Sequence, residues 1–146
     1  MLTVDANVWI AAADPSDEFH AASRRFLIAV ARQGLRLYVP AFAHIEMACA
    51  LARRRHSAAA GQILANALAE SPYVVEVALD AQFLAQALLT GTRALLRGAD
   101  ALYVTTAELN QTRLVSWDAE LLQRAAAIGF AAPKAITPSD WLAEDS

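Results

Sequence analysis

The 146-residue chain holds one cysteine, Cys49, and one lysine, Lys134. A lone cysteine excludes an internal disulfide framework and fits a reducing compartment. Cys49 falls in an apolar helical run, which predicts a buried, inert thiol and not a nucleophile. No basic stretch opens the chain, and Asp5 interrupts the first apolar run. Neither a secretory signal nor a membrane span is visible, so the expectation is a soluble, cytoplasmic protein. Positive charge is scarce as well: 12 basic residues against 15 acidic ones leave a formal charge of -3. No global attraction therefore draws the chain to nucleic acid, and any polyanion site must rest on a local patch or a bound metal. A Gly-rich phosphate loop and a Ser-His-Asp order are both missing. His20, His44 and His56 lack metal-ligand spacing with one another, which favours surface or core roles for them.

What is present is a compact, largely apolar chain, 57% hydrophobic and 18% charged, which excludes disorder over any large part. Its length suits one domain over residues 1–146. Much of the apolar fraction is alanine, which favours closely packed helices. Short apolar runs predict strands near 2–5, 36–39, 73–77, 113–116 and 135–137. Helices are predicted near 7–13, 18–33, 41–54, 58–69, 80–90, 99–110 and 119–128. Asp14-Pro15, Gly34, Pro40, Ser71-Pro72, Gly91, Gly98 and Gly129 punctuate these segments. All-apolar strands suit a parallel sheet covered on both faces, and their alternation with helices predicts an α/β sandwich. Ligands in such sheets bind beyond the carboxyl ends of the strands.

Four acidic residues interrupt apolar segments at such places: Asp5, Glu46, Asp100 and Asp118. Burying an unpaired carboxylate costs several kcal/mol or forces protonation, so a shared divalent cation is the simplest common explanation. Each residue also has a plainer reading. Asp5 or Asn7 suits an N-cap for VWIAAA, and Glu46 could sit at the edge of its apolar stripe with its head in water. Asp100 suits a helix N-terminus after Gly98, and Asp118 suits a cap with Ser116 as a second capping hydroxyl. Asp14, Asp17, Glu18, Glu108, Glu120, Glu144 and Asp145 read as ordinary loop, tail or solvated helix residues.

The order VDANVWI, the glutamate of PAFAHIEMACAL, RGADALYVTTAEL and LVSWD resembles PIN-domain ribonucleases. Small size and short termini look like the VapC toxins of bacterial toxin–antitoxin pairs. The resemblance runs from Leu2 to about Leu142 and rests on motif order and spacing together. It implies a three-layer α/β/α sandwich with a mainly parallel sheet, usually dimeric. It places Asp5, Glu46, Asp100 and Asp118 at the family's acidic metal-binding positions, and Asn7 and Ser116 at its polar supporting positions. Ala6 stands where the family commonly has a hydroxyl residue, which puts one supporting hydrogen bond in question. A cognate antitoxin, crossing the acidic groove with its C-terminal segment and often an arginine, is the implied protein partner.

The expected chemistry is hydrolysis of an RNA phosphodiester with Mg²⁺ or Mn²⁺, one ion activating the attacking water and a second stabilising the leaving 3′ oxygen. Structured RNA, tRNA included, is the implied substrate. Arg53, Arg54, Arg55, His56, Arg93 and Arg97 are candidates to grip the RNA backbone. For Arg53–Arg55 a solvated run favoured by the helix dipole is an equal alternative. Two rival readings remain: a haloacid-dehalogenase-like phosphatase and a non-catalytic PIN-like RNA- or protein-binding module. The phosphatase needs a second carboxylate where Asn7 stands.

Overall fold

The computed structural model describes residues 1–128 and 135–144; the expected break at Gly129, Lys134 and the Asp145 tail lie outside them. The chain alternates short strands with helices, as follows. β1 (Leu2–Val4), α1 (Ala6–Ala13) and α2 (His20–Arg32) come first, then β2 (Leu37–Pro40), α3 (Ala43–Arg55) and α4 (Ala58–Glu70). β3 (Val74–Val77), α5 (Ala81–Ala94), α6 (Gly98–Asn110), β4 (Arg113–Val115), α7 (Ala119–Ala127) and α8 (Pro138–Glu144) complete the order. The strands form one parallel sheet in the order β3-β2-β1-β4. Leu2 is in register with Leu37 on one side and with Arg113 on the other, so β1 is central.

Helices cover both faces, and each face has its own apolar core. Leu2, Val4 and Val115 pack with Phe26 and Val30 of α2 and Trp141 of α8. On the other side Val39 and Leu114 meet Met47 of α3, Val104 and Ala107 of α6 and Leu121 of α7. The α/β/α sandwich is thus present, with helices started by local chemistry. Ser57, Asp80 and Asp118 each accept a backbone N–H of the following turn, which removes an otherwise orphaned donor. Gly61 lets α4 approach α3 closely, since a Cβ there would lie 2.3 Å from the Ala48 carbonyl oxygen.

Several expectations change. The fifth strand shrinks to one parallel bridge, Val115 to Ile136, because Thr137 already opens the next turn. That turn starts α8, an unanticipated helix held by Trp141 packing edge-on against Phe26 at 5.2 Å. Gly91 does not end a helix but lies inside α5, where a Cβ would sit 2.8 Å from that of Ala101. β3 is an edge strand with Glu76 exposed, so not every strand is covered on both faces. Cys49 is exposed, not buried: Ala43, Met47 and Leu51 carry the buried face of α3, and Cys49 points away from it. Glu108 is half-buried, accepting from the buried Thr90 hydroxyl at 2.6 Å and from Arg93 at 3.1 Å. Among the described residues no helix is long and apolar enough to cross a membrane.

Candidate active site

The carboxyl edge of the sheet brings the four acidic residues and their two polar companions together. β1 ends at Val4, and the Asp5 N–H donates to the Val115 carbonyl at 3.0 Å, which fixes Asp5 against β4. Asp5 stands at the N-cap position of α1, yet its side chain caps nothing. The residue is only 7% exposed, and its carboxylate accepts a hydrogen bond from Ser116 Oγ at 2.6 Å. The Ser116 hydroxyl is fully committed: besides donating to Asp5, it accepts from Asn7 Nδ2 and from the Asp118 N–H, both at 2.9 Å. Asn7 Oδ1 in turn accepts from the Trp117 N–H at 3.2 Å. With one proton and two lone pairs all engaged, Ser116 is the joint between the first and last acidic segments.

Trp117 is itself braced. Its ring stacks on Phe19 with centroids 4.3 Å apart, and its Nε1 donates to Ser23 at 2.8 Å. The α1–α2 connection therefore holds the loop that carries Ser116 and Asp118.

Glu46 lies in the first turn of α3, half-buried, and accepts the Tyr103 hydroxyl at 2.7 Å. Tyr103 is buried in α6, one turn after Asp100. Asp100 sits in the first turn of α6 and accepts Arg97 Nε at 2.8 Å, while Arg97 Nη2 donates to Asp118. Asp118 Oδ1 caps α7 through the Leu121 N–H at 3.0 Å. The capping reading of Asp118 is thus correct, and its other oxygen, Oδ2, still faces Asp100 across Arg97.

Electrostatics ties the group together. Burial pushes the Asp5 carboxyl up from 3.8 to about 7; the Ser116 hydrogen bond opposes this, and repulsion from Glu46 and Asp100 adds to it. Burial also raises Glu46, with the Tyr103 hydroxyl working against it and Asp100 reinforcing it. Tyr103 is held far above the ordinary phenol range by burial and then by the charges of Glu46 and Asp5. Burial raises Asp118 too, but the Leu121 N–H and the Arg97 guanidinium outweigh it and leave the group below its ordinary value. Asp5, Glu46 and Asp100 therefore feel one another's charge, and of the four only Asp100 and Asp118 have a cation against them among the described residues.

Among the described residues no three acidic, histidine or cysteine side chains are gathered into a ready-made cation cage. The donor chemistry nonetheless suits a hard divalent ion. All four groups are carboxylates, Asp5 and Glu46 meet no counter-charge among the described residues, and Mg²⁺ keeps several waters while taking only one or two carboxylates. His20 and His44 are engaged elsewhere, with the Ala11 carbonyl and with Glu76. Two participants carried little sequence signal. Tyr103 was legible only as the single aromatic three residues beyond Asp100, and Arg97 only as a basic residue three before it.

Of the expected RNA-gripping residues, Arg54, Arg55 and Arg93 are ion-paired with Asp17, Asp14 and Glu108. Asp14 is consequently no ordinary loop residue: it is buried, and hydrogen bonds from Ser16, then Arg55, hold its carboxyl below the usual range. Arg53 and His56 border a depression of about 600 Å³ with Ala50 and Arg54.

Solved structures share this architecture. A crystal structure of Mycobacterium tuberculosis VapC20, a Sarcin-Ricin loop cleaving toxin, aligns with a TM-score of 0.73 at 20% identity, covering 92% of this chain and 99% of that one. FitAB bound to an IR36 DNA fragment aligns with a TM-score of 0.63 at 15% identity, covering 94% of this chain and 95% of the other. No curated protein matches the sequence. The PIN domain pattern matches residues 2–128, nearly the whole described chain, and the protein belongs to the PIN domain family.

Proposed function

We propose that this chain is a single-domain, Mg²⁺- or Mn²⁺-dependent endoribonuclease, the VapC-type toxin of a type II toxin–antitoxin pair. The observation that carries this reading is the buried Asp5 carboxylate, bound by Ser116 and repelled by Glu46 and Asp100 with no cation against it among the described residues. A buried group so perturbed, at the carboxyl edge of a parallel sheet, is where chemistry is expected. Asp5, Glu46 and Asp100 would hold the ion, with Asp118 joining directly or through water. When bound, the ion supplies positive charge at the scissile phosphate and makes water a competent nucleophile at neutral pH.

The remaining work falls to the chain's own groups. Ser116 aims one Asp5 oxygen, Asn7 fixes Ser116, and Tyr103 engages one Glu46 oxygen while leaving the other free. These are positioning residues whose loss costs about 10–100-fold in sites of this kind. Arg53 and His56, which have no ion pair among the described residues, are the arginine and histidine of the α3 terminus suited to the RNA backbone.

The substrate in this reading is structured RNA; tRNA follows from the sequence resemblance, and the sarcin–ricin loop named for VapC20 is a second target to assay. A cytoplasmic homodimer neutralised by an antitoxin completes the proposal, in keeping with the toxin and FitAB likenesses. The test is cleavage of tRNA and ribosomal RNA by purified, antitoxin-free protein, with Mg²⁺, with Mn²⁺ and with EDTA. Cleavage should require the ion. Equal cutting in EDTA would refute the reading, and inertness toward every RNA would favour a non-catalytic binding module.

A further inference from the structure

Arg97 stands at the N-cap position of α6 with extended backbone, and its guanidinium reaches two acidic residues from different helices. Nε donates to Asp100 Oδ2 at 2.8 Å and Nη2 donates to Asp118 Oδ2. Asp118 lies 21 positions further along the chain, so this one side chain closes α6 against the start of α7 at the acidic edge. A guanidinium has five donors, no acceptor and no accessible neutral form. It can therefore neutralise these carboxylates but cannot share a cation with them as a ligand. A divalent ion on the same carboxylates adds a second positive charge beside the guanidinium, and repulsion between the two weakens both Arg97 pairs.

Displacement is easy in one direction. The Arg97 side chain is 66% exposed, against 18% for Asp100 and 28% for Asp118, so it can swing into water while the carboxylates stay in place. Exposed ion pairs are individually weak and screened by salt. We propose that Arg97 is a built-in counter-ion of the acidic site, which holds Asp100 and Asp118 together in the metal-free protein and gives way when a divalent cation binds. This rests on the nuclease reading above, since that reading is what brings the cation to these residues. Arg97 acts here as a positioning residue, and its displaced guanidinium is left at the mouth of the site, where phosphate pairs well with such a group.

The experiment is calorimetric titration of Mn²⁺ into metal-free wild type, Arg97→Gln and Arg97→Lys, beside thermal unfolding in EDTA. Two exposed ion pairs predict Mn²⁺ affinity about two- to thirty-fold higher in Arg97→Gln at low salt, with Arg97→Lys between the two. The gap should narrow as salt is raised, and Arg97→Gln should unfold earlier than wild type in EDTA but not in saturating Mn²⁺. The Nε–H resonance of Arg97 should also shift when Mg²⁺ is added to wild type. Equal or weaker Mn²⁺ binding by Arg97→Gln would overturn the counter-ion role and leave the nuclease reading standing. Mn²⁺ binding to neither protein would overturn both.

Discussion

The acidic edge has an inner half and an outer half that solve the same problem in opposite ways. The inner half, buried Asp5 and half-buried Glu46, is met among the described residues only by neutral hydroxyls, from Ser116 and Tyr103. Its carboxyls hold their protons more tightly than usual. The outer half, half-buried Asp100 and Asp118, shares the exposed guanidinium of Arg97. Hydroxyls orient a carboxylate without cancelling its charge, whereas a guanidinium cancels charge and costs little when exposed. The inner half is therefore left with an electrostatic demand that a proton or an incoming cation meets, and the outer half has a provisional answer to it.

The largest effect should come from the inner half. Asp5→Asn keeps the size and a hydrogen-bond acceptor for Ser116 but removes the charge. RNA cleavage should fall by more than about a hundredfold, exceeding the loss typical of supporting groups around a metal. The same variant should melt no lower than wild type in EDTA at pH 8. Loss of activity together with early melting would show that Asp5 serves the fold, and would erase the distinction drawn here.

The pH dependence of stability follows from the same contrast. Asp5 has a folded value of about 7 against an ordinary 3.8, so its contribution is fully present below about 3.8 and is lost as pH rises toward 7. Glu46 is shifted the same way. Asp118 and Asp14 are depressed, so theirs is lost instead as pH falls through their lowered values. Metal-free protein should thus be most stable at mildly acidic pH and weaken toward pH 7–8, by at most about 4 kcal/mol for the Asp5 shift. Denaturant unfolding between pH 4 and pH 8 in EDTA measures this. Asp5→Asn should flatten the alkaline limb, and a wild-type curve that rises throughout this range would contradict the assignment.

Smaller changes sharpen the comparison. Ser116→Ala should lower cleavage about 10–100-fold, because Asp5 loses its aim and Asn7 its acceptor. In the outer half, Asp118→Ala should cost about 1 kcal/mol by removing the α7 cap, while Asp118→Asn should cost less, since asparagine caps as well as aspartate and only the exposed Arg97 ion pair is lost. Chemical denaturation of the pair separates capping from charge. Tyr103→Phe comes last: it removes a net hydrogen bond of about 1 kcal/mol and should push Glu46 further up, detectable by carboxyl NMR titration.

Much of this was legible in the chain, and the reasons are specific. Asp5 directly follows a strand and Asp118 follows another, so a parallel sheet had to put both at one edge. Glu46 was conspicuous because no polar neighbour shares its face. Where the reading failed, alanine is the common cause. In helices as Ala-rich as α3 and α5 nearly every face looks apolar, so periodicity gives little contrast. The pattern accordingly predicts Cys49 inside and Gly91 at a helix end, whereas the one is exposed and the other is a contact point between α5 and α6. Glu108 was taken for a solvated residue because its partner Thr90 lies on a different helix. α8 carries little local signal because Trp141 gains its anchor from residues far earlier in the chain, Phe26 over a hundred positions before it among them.

By itself the amino-acid order determined the strand–helix alternation and the identity of the acidic groups, because hydrophobic period, caps and charge are local properties of the chain. Tertiary structure alone decided how those groups are neutralised. Which carboxylate meets a hydroxyl and which meets a guanidinium depends on distances and burial between residues far apart in sequence, and Coulomb and desolvation energies are functions of those distances and not of chain position.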